Sequence, residues 1–194
     1  VCHYTLTKIG AARTCAAPQN LKGEIMHNIL ACDPGVPLTL ALLNSKGKLI
    51  AIAEKDDVAT NFKKRKWDNN PILITSRIEK WLAASKRPMA AVIERVGSMP
   101  GEGVVSACKF TGSYYTFLGI CAALHIPVTQ VTPPKWKRDL GIHYTKDLNL
   151  KEASRSKAIT EFPNKTDWFR RKMDHDRAEA SLIGLWLLKH GDGK

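Results

Sequence analysis

Short apolar runs separated by turn signals open the ordered part of the chain. Asn28–Asp33, NILACD, is apolar and ends in an acid, and Pro34-Gly35 follows as a turn. Leu38–Leu43, LTLALL, predicts a second strand. Asn44-Ser45-Lys46-Gly47 predicts a hairpin turn, and Leu49–Ala53, LIAIA, a third strand. An antiparallel meander is therefore expected. The period then changes. Ile74, Ile78, Trp81 and Leu82 recur at helical spacing within Pro71–Ala84. Met89–Glu94, MAAVIE, reads as a buried strand that again ends in an acid. Gly97–Gly103, GSMPGEG, is a glycine-rich loop, and Val104–Leu124 a long helix rich in small and aromatic residues. Ile126–Val131 is a strand ended by Pro133-Pro134, and Trp136–Leu140 a short helix closing at Gly141. Lys151–Glu161 is a polar helix stopped by Phe162-Pro163, and a last helix runs from about Asp176 to Leu188.

With the short helix left aside, the order is β-β-β-α-β-α-β-α-α. That is the order of the RNase H-like α/β fold, a mixed five-stranded sheet flanked by helices. A chain of 194 residues suffices for one domain with a substantial core. No repeat is present, and no apolar run reaches the roughly 18 residues of a membrane span.

The first 25 residues, VCHYTLTKIGAARTCAAPQNLKGEI, show neither period and lack the apolar segment of a signal peptide. Residues 1–27 are expected to be an extension, disordered or non-native, and 28–194 the domain. Codons for Lys22-Gly23-Glu24 can spell a ribosome-binding sequence, so Met26 is a candidate initiator. A loosely packed N-terminal arm is the other reading.

Charge narrows the partner. Lys and Arg number 30 against 18 acids, a formal net charge of +12, which suits a polyanion such as nucleic acid. The basic run Phe62–Trp67, FKKRKW, reads as a solvated loop more readily than as a DNA contact. The five cysteines form no CxxC pair. Cys32, Cys108 and Cys121 lie in apolar segments, as buried thiols do, which favours a reducing cytoplasm over a zinc knuckle.

Against this excess of positive charge, acids crowd the start of the last helix in MDHDRAEASLIGLWLL, Met173–Leu188. His175 and Asp176 share a helical face with Glu179. Apolar neighbours place Glu179 at the edge of the buried stripe, where an acid is costly unless paired or bound to a cation. A capping box, with Asp176 as N-cap and Glu179 three residues on, explains the same residues. Asp33 and Glu94 each end a predicted strand, at the sheet rim where α/β folds place their sites. Carboxylates from the first strand, a middle strand and the last helix can converge in this fold. Such hard oxygen ligands suit Mg2+ or Mn2+, and two ions can clamp the attacking and leaving oxygens of a phosphodiester.

The stretches LACDPG, AAVIERVGSMPGEGVVSACKFTGSYYTFLGI, VTPPKWKRDLGI, KEASRSKAITEFP and DHDRAEASLIG follow one another along most of the chain. Through them it resembles the RuvC-like Holliday junction resolvases, especially their phage and chloroplast branches; residues 1–27 match nothing. The resemblance implies a homodimer that nicks four-way DNA symmetrically with divalent metal, in the cytoplasm or an organelle stroma. It implies Asp33, Glu94 and Glu179 as metal ligands. The remaining ligand falls on Asp176 in one branch pattern and on Asp174 or His175 in another; the DHDRAEA run favours Asp174, leaving Asp176 as the cap. Gly101-Glu102-Gly103 stands where relatives carry a GQG-like element at the junction centre. Glutamate cannot donate to a base acceptor, so sequence preference does not carry over. Trp136 and Lys137 match a WK element, and Lys151 and Arg155 a KEASR element. With Lys135 they are candidate phosphate contacts, although for any one lysine a solvated surface position is the commoner role. A non-catalytic junction binder, and an RNase H or flap nuclease of the same fold, are the alternatives, separated by substrate preference.

Overall fold

The computed structural model describes residues 27–63, 66–97, 101, 103–143 and 150–191, with the backbone alone for 62–63 and 66–67. The expectations for residues 1–26, and the full Gly97–Gly103 loop, lie outside them. The strands are β1 (Asn28–Asp33), β2 (Thr39–Leu43), β3 (Leu49–Ala53), β4 (Ala59–Lys63) and β5 (Lys66–Asn69). Helix α1 (Pro71–Ala84), strand β6 (Met89–Glu94), helix α2 (Val104–Ala123) and strand β7 (Val128–Val131) follow. Helices α3 (Pro133–Asp139), α4 (Leu150–Glu161) and α5 (His175–His190) complete the order, with a 3-10 segment at Pro163–Phe169 before α5.

Five strands form one mixed sheet in the order β3-β2-β1-β6-β7. The meander β1-β2-β3 is antiparallel, while β6 and β7 join β1 in parallel. Period-2 alternation gives the sheet two apolar faces. Leu30, Cys32, Ala91 and Ile93 pack toward α1 and α2 with Ile78, Phe117 and Cys121. Ile29, Ala31 and Val92 pack toward α3, α4 and α5 with Trp136, Ile183 and Trp186. Helix α5 lies directly on the sheet: a Cβ on Gly184 would meet Leu43 Cδ1 at 2.5 Å and Ala31 Cβ at 3.1 Å. No helix among the described residues is long and apolar enough to cross a membrane.

Two expectations change. The described ends of the FKKRKW run are not free loop: Phe62-Lys63 close β4 and Lys66-Trp67 open β5, and the two strands pair antiparallel. The hairpin is fixed by its last two asparagines. Asn69 accepts from Leu38 N at 2.8 Å and donates to Ser113 Oγ at 2.6 Å. Asn70 caps α1 through Ile72 N and Leu73 N, and its amide donates to Thr60 Oγ1 at 3.0 Å. Cys108 is exposed, whereas Cys32 and Cys121 are buried as expected. Burial pushes the Cys121 thiol up to about 12, which makes it a small hydrophobe rather than a nucleophile.

Helix α3 is tied to α5 by Trp186 Nε1, which donates to Asp139 Oδ2 at 2.9 Å, and Lys135 Nζ donates to the same oxygen at 3.0 Å. The indole first, then the lysine, lowers the Asp139 pKa to about 2. The folded carboxyl therefore binds fewer protons than the unfolded one, and its contribution is complete above the ordinary range near ~3.9. That contribution fades as pH falls toward about 2. The melting temperature of Asp139→Asn should accordingly lie below that of the parent at neutral pH. The gap should close in thermal melts as the solution is acidified through this window.

Candidate active site

The alternation that buries the strands also selects their last side chains. Asp33 lies two and four residues beyond Ala31 and Ile29, and Glu94 two beyond Val92, all on the α5 face of the sheet. The parallel register pairs Cys32 with Ile93, so the next step sets Asp33 beside Glu94. Helix α5 packs against β1, β2 and β6, and its first turns bring Asp176 and Glu179 to the same rim.

The acids feel one another. Burial raises the Asp33 pKa most, and Glu94, Glu179 and Asp176 raise it further, while Lys137 pulls it down. Glu94 is raised by burial and by Glu179, against lowering by the Trp136 hydrogen bond and Lys137. Asp176 is raised by burial, with Glu179 and Glu54 adding to it and His175 and Lys151 opposing it. Its side chain is 55% exposed, so water screens this effect. Mutual repulsion among hard oxygen donors in a half-buried rim is relieved by a cation. The donor chemistry fits Mg2+ or Mn2+. Among the described residues no three His, Cys, Asp or Glu groups converge on one point that could hold an ion.

Protein groups occupy two of these carboxylates. Trp136 Nε1 donates to Glu94 Oε2 at 2.6 Å. Lys137 Nζ reaches Glu179 Oε1 at 2.9 Å, and Ser154 Oγ donates to the same oxygen at 2.9 Å. Trp136 has no exposed surface, so it cannot be the phosphate contact its position in the WK element implied. It orients Glu94 instead. Lys137, 16% exposed, turns inward to the acids with Nζ 5.0 Å from the Trp136 ring centroid. Helix α3 thus presents two consecutive side chains to two different acids.

The start of α5 departs from the expected capping box. The helix begins at His175, with Asp174 as the flanking residue and no side-chain cap. Asp176 is already inside the helix, so it is not the cap. Asp174, 2% exposed, folds back onto Arg171: it accepts from the Arg171 N at 2.8 Å, Nε at 3.1 Å and Nη2 at 2.9 Å. Burial raises its pKa, but the Arg171 hydrogen bonds outweigh this and leave it lowered. It is not among the groups that shift Asp33 or Glu94. His175 Nε2 lies 3.0 Å from both Lys151 Nζ and Asp176 Oδ1.

The remaining candidates divide. Gly101 and Gly103 are exposed before α2, Gly101 with φ +83°; Glu102 lies outside the described residues. Lys135 is half exposed and paired with Asp139. Lys151 is exposed at the site's edge. Arg155 is committed internally, to Glu152 and to the carbonyls of Phe169 at 2.9 Å and Arg170 at 3.0 Å, so it braces α4 against the segment before α5 and has little left for phosphate. Sequence reasoning missed Ser154, which only its place in the KEASR run could have signalled. It also missed a cleft of about 520 Å3 lined by Lys151, Glu152, Arg171, Lys172, Met173 and His175. The basic pair Arg171-Lys172 just before the acids was the available signal.

No protein-family model matches the chain. It is 33% identical over 104 residues to the Holliday junction resolvase MOC1, chloroplastic, of Chlamydomonas reinhardtii, a match covering 53% of this chain. The chain spans about 12% of the length of that relative. Thermus thermophilus RuvC in complex with Holliday junction substrate superimposes with a TM-score of 0.60 at 17% identity, over 85% of this chain and 96% of that one. A second Thermus thermophilus RuvC structure gives 0.52 at 16% identity, over 84% and 96%. The chain therefore has the RNase H-like fold of RuvC and, over half its length, a sequence similar to that of a Holliday junction resolvase.

Proposed function

We propose that the chain is a divalent-metal-dependent endonuclease that resolves four-way DNA junctions. The observation that carries the reading is the gathering of Asp33, Glu94, Asp176 and Glu179 at one sheet rim, on the face that α5 covers, in a strongly basic chain. Likeness to two junction-associated proteins supports the substrate. Asp33, Glu94, Glu179 and Asp176 are the proposed ligands of Mg2+ or Mn2+, with two ions per site. When bound, the metal supplies positive charge for the attacking water and the leaving 3′-oxygen. The chain's own part is preorganisation. Trp136 fixes one oxygen of Glu94, and Ser154 and Lys137 hold Glu179 until a cation competes. Asp174 belongs to the scaffold: its link to Arg171 shapes the entry to α5. Lys151, Lys135 and the Lys151–Lys172 cleft are proposed to hold DNA phosphates, and the Gly101–Gly103 loop to meet the junction centre.

Residues 28–194 are the proposed nuclease domain, preceded by an arm at 1–27. Symmetric nicking needs two sites, and a homodimer supplies them. The outer face of α2 supports this, with Val104 78% and Val105 72% exposed among small residues. The proposed location is a bacterial or phage-infected cytoplasm, or an organelle stroma.

A gel assay tests the reading. With magnesium, a mobile four-way junction should be nicked in paired strands, whereas linear duplex and RNA–DNA hybrid should stay intact and chelator should stop the reaction. Preferred cleavage of the hybrid would point to an RNase H, and junction binding without cleavage under any divalent metal to a structural binder. Affinity should fall with salt at a log–log slope of roughly −0.9 per phosphate neutralised. Lys151→Ala should flatten that slope by about one unit; an unchanged slope would return Lys151 to the solvated surface.

A further inference from the structure

Asp33 ends β1, and the chain turns through Pro34–Leu38 before Thr39 pairs with Asp33 across the antiparallel register. This turn is held from outside the main sheet. Asn69, the last residue of β5, commits its whole side-chain amide to the turn and to what lies behind it. Its Oδ1 accepts from Leu38 N at 2.8 Å, and its Nδ2 donates to Gly35 O at 3.2 Å. One amide therefore bonds both limbs of the turn. Nδ2 also donates to Ser113 Oγ at 2.6 Å. Ser113 is 3% exposed, and its own hydroxyl donates to Lys109 O at 3.0 Å, so its oxygen is left to accept from Asn69. The clamp is thus backed by α2. Lys109 Nζ holds β5 there a second time, through Asp68 Oδ1 at 3.2 Å.

The proposed metal ligand needs such a hold. Glu94, Glu179 and Asp176 repel Asp33, and repulsion drives a half-buried carboxylate outward unless its backbone is fixed. Pro34 carries no N–H, so the ladder cannot continue through it. Leu38 is fully buried in the α1–α2 core. Its N–H therefore depends on a protein acceptor, which Asn69 provides. Groups behind a metal ligand fix its orientation, and through it the affinity for the ion.

We propose that Asn69 is a positioning residue for the metal ligand Asp33, acting through the Pro34–Leu38 turn that its amide clamps. This rests on the metal-dependent nuclease reading and adds to it a residue on the α2 side of the sheet, away from the acidic rim. It makes the base of the β4–β5 hairpin part of the support of the cleavage site.

The test is Mn2+ binding to the full chain without DNA, by calorimetry. Asn69→Asp keeps the side-chain size and the acceptor for Leu38 N but cannot donate to Gly35 O. It should weaken Mn2+ binding about tenfold, the lower end of what supporting groups contribute, and raise the half-saturating Mn2+ for junction nicking by the same factor. Its added negative charge would by itself strengthen cation binding, so a loss reports geometry. Ser113→Ala, which removes only the support from α2, should weaken binding in the same direction by a smaller factor, and it decides the matter should Asn69→Asp not fold. Asn70→Ala removes the neighbouring cap of α1 and its tie to Thr60. It should lower the melting temperature and leave Mn2+ affinity at the parental level. Parental affinity in Asn69→Asp, or in Ser113→Ala where Asn69→Asp does not fold, would overturn the proposal. So would a loss in Asn70→Ala as large as that in Asn69→Asp, which would reduce Asn69 to a general contributor to stability. Parental Mn2+ binding by Asp33→Asn would overturn it as well, since Asp33 would then hold no ion. Failure of the junction reading alone would show separately, as a parent protein that binds Mn2+ and leaves four-way junctions intact, while the Mn2+ comparison still decides the role of Asn69.

Discussion

Asp33→Asn is expected to abolish junction cleavage while leaving junction binding close to that of the parent. Asp33 is half-buried at the end of β1, and desolvation, then Glu94, Glu179 and Asp176, raise its pKa. It therefore sits at the electrostatic centre of the cluster. The amide keeps the volume and removes the charge, so the repulsion that a cation would relieve falls away. Loss of a mere supporting group in a metal site costs roughly 10–100-fold, and loss of a central ligand should exceed that. Glu94→Gln and Glu179→Gln should behave alike. The folded state of Asp33→Asn should not suffer, because removing a half-buried charge that neighbouring acids repel relieves strain; a melting temperature at or above that of the parent would bear this out. Near-parental nicking by any of the three would remove that residue from the site.

Asp176→Asn is expected to eliminate cleavage, and Asp174→Asn to leave most of it. The DHDRAEA run led to the opposite expectation, with Asp174 as ligand and Asp176 as cap. The structure supports the other assignment physically. Asp176 is one of the charges that perturb Asp33. Asp174 is enclosed, holding Arg171 through backbone and guanidinium hydrogen bonds. Asp174→Ala should therefore cost stability, on the order of 1–3 kcal/mol for lost charge-assisted bonds to a partly solvated arginine. Chemical denaturation and nicking rates on the same proteins separate the two effects. A silent Asp176→Asn together with a folded but inactive Asp174→Asn would restore the assignment drawn from the resemblance.

The strands and helices that carry the site were legible because burial imposes a period. NILACD, LTLALL, LIAIA and MAAVIE are apolar runs closed by turns or acids, and each became a strand. The β4–β5 hairpin was not legible. Its FKKRKW run lacks apolar alternation, and its position depends on Asn69 and Asn70 reaching distant partners. The acids were legible as strand-end and helix-start residues, but their alliances were not. Nothing local to VTPPKWKRD says that the indole of Trp136 turns inward to Glu94 while its neighbour Lys137 turns to Glu179. In the same way, whether Asp174 or Asp176 faces the rim depends on where α5 begins, and a shift of one residue turns a side chain through about 100°. That detail goes with the Arg171–Asp174 link, a local i,i+3 side-chain contact that no apolar periodicity encodes.

The most direct test of the account is a crystal structure with manganese bound, in which anomalous scattering locates the ions without assumption. The account predicts manganese at the rim with Asp33, Glu94, Glu179 and Asp176 as its protein ligands. It also predicts that Lys137 Nζ has left Glu179 and that Asp174 still holds Arg171. Manganese coordinated by Asp174 or His175 with Asp176 turned to solvent, or none at Asp33 under conditions that support cleavage, would contradict it.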